Sequence, residues 1–349
     1  MRLKTFGNND ISGKKVLVRV DFNVPLAKDG SVADATRIRA HMPLIDELAS
    51  AGAKISLCSH LGRPKGQAVA KYSLKPVADE LGRMTDKKVI FSDDCVGDGV
   101  PGMVESMSSG NILVLENLRF YPDEEKNGDD FARRLAAPFD VFVMDAFSAA
   151  HRAHASTRAI VNHIKSFAGP LLIREIEMLS EARDNPKRPF VLVLGGAKVS
   201  DKIGVIENML DKIDTIIIGG GMAFTFLKAE GMEVGRSICE TERLDFAGNM
   251  LDKAREKGVS IILPKDVIVA DEVSADAVAT VVSRGAIPAD KMGLDIGPES
   301  VSLFRGALGS AKTVLWNGPM GVFEMAPFAG GTRAIAEELV KITKSGSFT

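Results

Sequence analysis

The chain has 349 residues, 45% of them hydrophobic and 26% charged, with a formal net charge of -2. Length and composition allow two substantial apolar cores, and the charge balance excludes the strongly basic footprint of a nucleic-acid or anionic-membrane binder, so any basic site must be local. No apolar run approaches the roughly 20 residues that span a bilayer, the opening MRLKTFGNND has no core of signal-peptide length, and a cytoplasmic protein is expected.

Short β-branched runs alternate with amphipathic segments along the chain. KKVLVRV, AKISLCS, NILVLEN and DVFVMDA read as buried strands in the first half, and PFVLVLG, DTIIIGG, VSIILPK and KTVLWNG in the second. Between them, 203–213 places Ile203, Ile206, Met209, Leu210 and Ile213 on one helical face. This alternation predicts α/β architecture: two Rossmann-like three-layer αβα domains with parallel sheets. The stretch GPLLIREIEMLSEARDNPKRP, with Gly169 and Pro170 before a helical pattern and Pro186 and Pro189 after it, predicts a connecting helix. The expected division is 1–170, a hinge helix 171–185, and 186–349. Cys58, Cys95 and Cys239 are far apart and fit neither a disulfide framework nor a zinc spacing.

In open parallel sheets, ligands bind outside the carboxyl ends of the strands. In the first half those exits are DFNVP, SHLGRP, ENLRF and DAFSAAHRAH, which deliver Asp21, Asn23, His60, Arg63, Arg119 and Arg152, and ATRIRA adds Arg37. Arginine's planar fork suits phosphate and carboxylate, so several on one rim point to a small polyanion. Each arginine taken singly is better read as solvated or structurally paired; it is the basic residue at each of four strand exits that points to a site. His151 and His154 have no third ligand nearby, which argues against a metal there. Asp21 and Asn23 fall on the same side of an extended chain and are candidates to hold a substrate hydroxyl or to cap the turn before Pro25.

Second-half strands end in GGAK, GGGMA and WNGPMG. Glycines allow close backbone approach to a ligand, and helix N-termini offer N–H groups to phosphate. The signal is generic, because neither GxxxxGK[ST] nor GxGxxG is present, and tight turns alone would use the same residues. Lys198 in the turn and Lys202 in the first turn of the following helix would oppose that helix's dipole unless an anion lay between them; exposure to water is the alternative.

RVDFNVP, TRIRA, SHLGRPKG, LENLRFYPDEE, AHRAHAST, GGAKVSDKI, IIGGGMAFTFL, LDIGPES and WNGPMGVFE, in this order and over nearly the whole chain, resemble the phosphoglycerate kinase family. The resemblance implies two domains that close by a hinge and reversibly transfer the acyl phosphate of 1,3-bisphosphoglycerate to ADP, giving 3-phosphoglycerate and ATP with Mg2+. By motif, Asp21, Phe22, Asn23, Arg37, His60, Leu61, Gly62, Arg63, Arg119 and Arg152 match the family's phosphoglycerate site. Gly196, Ala197, Lys198, Lys202, Gly220, Gly293, Asn317 and Glu324 match its nucleotide site, with Glu324 on the ribose hydroxyls. Arg37, Lys198 and Lys202 would be the catalytic cations, in a transfer that is mainly positioning and charge stabilisation.

The family's GGGDS-type loop, whose aspartate binds magnesium, would lie beyond Thr349, so the resemblance assigns no metal ligand here. A chain of only these residues is expected to bind 3-phosphoglycerate but to transfer poorly. At Ser148 and Ala149 the family would carry Gly-Thr, a departure expected to touch no assigned residue. The partners implied are small molecules, with no nucleic acid or membrane, and a monomer is expected. A nicotinamide dehydrogenase would want GxGxxG and a downstream acidic residue. A two-lobed small-anion binding protein would want one cleft ligand rather than two unlike rims.

Overall fold

In the strand Lys15–Arg19 (β1), Val16 and Val18 point to one side and Leu17 to the other, and all three are completely buried. A strand without a solvent face belongs inside a sheet covered on both sides. The computed structural model, which describes residues 3–349, places β1 in such a sheet. Its other strands are Lys54–Cys58 (β2), Val89–Phe91 (β3), Ile112–Val114 (β4), Val141–Met144 (β5) and Lys165–Ala168 (β6). Their order is β3-β4-β2-β1-β5-β6, and every pairing is parallel. Val16, Val18, Ile55 and Leu57 pack with Ile38, Leu44 and Leu48 of the helix Thr36–Ser50 on one face. Leu17, Leu113 and Phe142 pack with Phe131, Leu135 and Ile160 on the other.

The chain divides into two compact units, Met1–Met178 and Leu179–Thr349, and the helix Pro170–Asp184 carries the division within its length. The second unit is built on Phe190–Leu194 (β7), Thr215–Ile218 (β8), Ser260–Ile262 (β9), Asp266–Ala270 (β10), Thr280–Ser283 (β11), Met292–Ile296 (β12) and Thr313–Asn317 (β13). A parallel sheet runs β13-β7-β8-β9, with Leu192, Ile216 and Phe226 buried in one core and Val191, Val193, Ile217 and Phe304 in the other. Each unit is thus an αβα arrangement, as the alternation in the sequence implied.

Two features differ from the sequence reading. A second sheet, β11-β10-β12, is antiparallel rather than parallel. No helix stands between its strands, and β11 is largely exposed, with Val281 at 51%, so it lacks the long buried run that marks a parallel strand. The helix expected over 203–213 covers only Ile203–Met209; Leu210 and Ile213 stay buried in the turn that follows, and Lys202 sits at the N-cap position instead of inside the first turn.

Asp266, the first residue of β10, ties the antiparallel sheet to the helix Pro298–Gly309. Its carboxylate is 5% exposed and accepts the N–H of Ser300 at 2.7 Å, the N–H of Glu299 at 3.1 Å and the Ser300 hydroxyl at 2.7 Å. Asp266→Ala removes a helix cap and leaves buried donors unpaired, so it is expected to cost the second unit about 2 kcal/mol. Urea unfolding with an unchanged slope checks this; an unshifted midpoint would mean that water replaces the carboxylate without loss.

Candidate active site

Because the first sheet is wholly parallel, the exits of β4, β2, β1 and β5, which are consecutive neighbours, open on one edge. There the polar side chains of unit 1 meet. Asp21 follows β1; its Oδ2 accepts from Arg37 Nη1 at 2.6 Å and from the Ser148 hydroxyl at 2.7 Å, and its Oδ1 accepts the Asn23 N–H at 3.1 Å. Asn23 Oδ1 in turn accepts the N–H of Gly62 at 2.8 Å, binding the β1 exit to the β2 exit. Arg119, whose side chain is 5% exposed, donates from Nη1 to the Gly62 carbonyl at 2.8 Å, while its Nε lies 3.1 Å from Glu125 Oε1 without the alignment to donate. The Arg37 side chain is 49% exposed, and Arg63 and Arg152 are exposed. Phe22 and Leu61 contribute only main chain at this rim, since their side chains are core.

His60 is held as a neutral ring. Its Nδ1 accepts from Arg19 Nη2 at 3.0 Å, and burial, with the Arg19 and Arg119 charges, drives its pKa down to about 2. Nε2 therefore carries a proton at any working pH and offers an uncharged donor among cations. Arg19 itself is 1% exposed and, among the described residues, has no carboxylate in direct contact. It donates from Nε to Ser156 Oγ at 3.0 Å, and Ser156 donates to the buried Glu124 at 2.6 Å. The sequence reading missed Arg19; its one signal is a charge at the end of the apolar run KVLVR.

In unit 2 the exits of β13, β7 and β8 are also neighbours. The turns are knitted by main chain: Gly196 N donates to the Pro319 carbonyl at 2.9 Å, Gly220 N to that of Met320 at 3.0 Å and Met222 N to that of Gly196 at 2.9 Å. Gly220 has φ +65°, and a Cβ there would stand 2.6 Å from Gly196 N, so only glycine fits. A cavity of about 410 Å³ opens beside these turns, lined by Gly196, Ala197, Gly220, Gly293, Asp295 and Glu324 among others. Gly293 keeps the wall flat, since a Cβ would run into the Phe224 ring. Lys198 is exposed, and Lys202 donates from Nζ to Asn317 Oδ1. Glycine turns, two lysines and an apolar slot ending in a carboxylate suit a nucleotide.

The chain as a whole matches one family. Residues 6–349 fit the model described as phosphoglycerate kinase. The chain belongs to the phosphoglycerate kinase family. It is 52% identical to the phosphoglycerate kinase of Acaryochloris marina, over 100% of this chain and 88% of that protein, and 51% identical to that of Chloroherpeton thalassium, with the same two coverages. Among solved structures, that of phosphoglycerate kinase from Coxiella burnetii matches with TM-score 0.79 and 42% identity over 97% of this chain and 86% of the other. That of the Pyrococcus horikoshii OT3 enzyme matches with TM-score 0.83 and 30% identity over 94% and 84%. Phosphoglycerate kinases are glycolytic enzymes that transfer a phosphoryl group to or from a carboxyl group, and this is the chemistry of the chain.

One sequence expectation about the phosphoglycerate kinase motifs is overturned. The departure at Ser148 does touch an assigned residue, because its hydroxyl donates to Asp21 Oδ2 at 2.7 Å. A glycine at this position could not make that bond. The first turn of a short helix, Phe147–Ala150, follows β5 at once and brings position 148 onto the β1 exit, a proximity that sequence separation hides.

Asp295 in the cavity wall accepts the N–H of Gly331 at 2.7 Å and of Ile296 at 2.9 Å, yet burial outweighs both and raises its pKa from 3.8 to about 6. Between those values the folded chain holds a proton that the unfolded chain has released, so this group's stabilisation is full below pH 4 and lost as pH rises through 6. At about 1.4 kcal/mol per unit, the wild-type unfolding free energy should fall by roughly 2 to 3 kcal/mol across this window relative to Asp295→Asn, whose amide does not titrate. Parallel pH profiles for the two proteins would show that Asp295 titrates normally.

Proposed function

We propose that the rim of unit 1 binds 3-phosphoglycerate or 1,3-bisphosphoglycerate and that the cavity rim of unit 2 binds ADP or ATP. The observation that carries this is two chemically unlike rims, one of converging arginines and one of backbone turns with lysines, each at the carboxyl edge of adjacent parallel strands. Arg63, Arg119 and Arg152 suit the phosphate and carboxylate of the acid, His60 Nε2–H supplies a neutral donor, and Asp21 with Asn23 suits the hydroxyl. Glu324 at the cavity suits ribose hydroxyls, and Lys198 and Lys202 suit nucleotide phosphates.

Direct phosphoryl transfer needs no protein nucleophile, only alignment and positive charge where negative charge spreads over the migrating oxygens. Arg37 and Lys198 are proposed for that role. Arg37 is half-exposed and tied to Asp21 by one ion pair, which leaves its guanidinium able to exchange a carboxylate for a phosphoryl oxygen. The hinge role of the helix Pro170–Asp184, a cytoplasmic location and a monomeric state belong to the same reading. Among the described residues no helix is long and apolar enough to cross a membrane.

Magnesium is proposed to arrive with the nucleotide, as part of that substrate. Among the described residues no group of three or more His, Cys, Asp or Glu side chains is placed to hold an ion. In this reading the side chains' own tasks are binding, orientation and charge.

Formation of ATP from 1,3-bisphosphoglycerate and ADP in a coupled assay tests the activity. In that assay Arg37→Ala should lower kcat far more than it raises either KM, a loss of roughly 3 to 4 kcal/mol for a donor that acts only on developing charge. An unchanged kcat with a raised KM would reduce Arg37 to a binding residue. In calorimetric titrations of each ligand alone, Arg63→Ala should weaken 3-phosphoglycerate and spare ADP, and Glu324→Ala should do the reverse. Loss of the same ligand by both variants would defeat the division of labour.

A further inference from the structure

His41 stands one turn after Arg37 on the helix Thr36–Ser50 and is 1% exposed. Its Nε2 accepts the main-chain N–H of Asp21 at 3.0 Å, and its Nδ1 lies 2.7 Å from Asp145 Oδ2. A peptide N–H can only donate, so Nε2 is the acceptor and the ring proton sits on Nδ1, where Asp145 accepts it. The ring is also wedged edge-on against Phe22, with centroids 5.8 Å apart. The second oxygen of Asp145 accepts the N–H groups of Leu171 at 2.8 Å and Leu172 at 3.3 Å, which open the helix Pro170–Asp184.

A continuous hydrogen-bonded chain, buried at Asp145 and His41, therefore runs from the first turn of that helix to the peptide of Asp21. From Asp21 it passes by the 2.6 Å ion pair to Arg37. A cavity of about 280 Å³ lies along it, lined by Asp21, Arg37, His41, Asp145, Ser148 and Glu175 among others. Packing alone does not call for a histidine here, since an apolar side chain would fill the space without the cost of burying two ring nitrogens. What an apolar residue cannot do is receive the Asp21 N–H while anchoring to a carboxylate that also receives the helix.

We propose that His41 is a positioning residue of the phosphoglycerate half-site. It fixes the Asp21 peptide, and through the Asp21 carboxylate the Arg37 guanidinium, in register with the start of the connecting helix. This rests on the reading that Asp21 and Arg37 serve phosphoglycerate.

Two substitutions separate the two ring nitrogens. His41→Asn puts an amide where Nδ1 stands, keeping Asp145 paired and leaving the Asp21 N–H without an acceptor. His41→Gln puts it where Nε2 stands, able to receive that N–H. Calorimetry with 3-phosphoglycerate and with ADP, each alone, should show His41→Asn weakening the acid roughly 10-fold, His41→Gln staying within about 2-fold of wild type, and ADP binding unchanged in both, the scale of one lost hydrogen bond. The Asp21→Ala/His41→Asn double variant should bind the acid no more weakly than Asp21→Ala alone, because there is then no carboxylate left to place.

If Asp21→Ala weakens the acid while His41→Asn does not, or if the two losses simply add, or if both ligands suffer equally, His41 is a packing residue and the inference falls while the half-site reading stands. If Asp21→Ala itself leaves the acid's affinity intact, the half-site reading fails and takes this inference with it. Should His41→Asn not fold, the same titrations on His41→Leu, which fills the volume without either bond, decide by the same outcomes.

Discussion

Parallel pairing is the constraint from which the rest follows. Antiparallel neighbours would send alternate strand ends to opposite edges, whereas β4, β2, β1 and β5 all finish on one edge, and so do β13, β7 and β8. Each exit needs to contribute only one or two polar residues for a dense site to form. The same pairing forces the strands to be buried on both faces, which is why Val16, Leu17 and Val18 are all apolar and why the chemistry is confined to the few residues after each strand ends.

The basic rim must gather cations without tearing itself apart. Three devices in the structure serve that end. His60 stays uncharged beside Arg19, so it adds a donor and no repulsion. Arg19 reaches its counter-charge Glu124 through the Ser156 hydroxyl, which spreads a buried charge over a network rather than an isolated pair. Arg37 rests on Asp21, a carboxylate that two further hydrogen bonds and the Arg37 charge keep ionised, holding its pKa below 3.8 although burial alone would raise it. Part of the rim's charge is therefore balanced before any ligand arrives, and a phosphate reaching Arg37 would replace one anionic partner with another.

The interior strands of the two parallel sheets were legible because each is a run of apolar, largely β-branched residues ending at a glycine or a polar cluster, as in VLVLGG and IIIGG, whereas β10, interior to the antiparallel sheet, was not read as a strand. The edge strands β3 and β6 have three and four residues and partial exposure, too little pattern to distinguish from loop. The rims were legible because a charge or a glycine directly after a strand has a predictable position, and the family motifs supplied the roles. What stayed hidden was polar chemistry inside the fold. His41 occupies a core position of an amphipathic helix, where sequence alone reads it as filler, and Asp145 looks like one more residue after a strand until the helix start folds back onto it. Ser148 was hidden for the opposite reason: its importance lies in a partner 127 residues away.

The knitted turns of unit 2 carry a consequence for how the nucleotide rim can vary. Its shape is written largely in peptide groups bonded to peptide groups and in side chains that are missing, as at Gly220 and Gly293. Almost any replacement at such positions adds atoms where none fit, and few could improve the fit. Variation during divergence should therefore collect on the outer walls of the slot, where Ile238 and Val273 are exposed, while the floor accepts hardly any neutral drift.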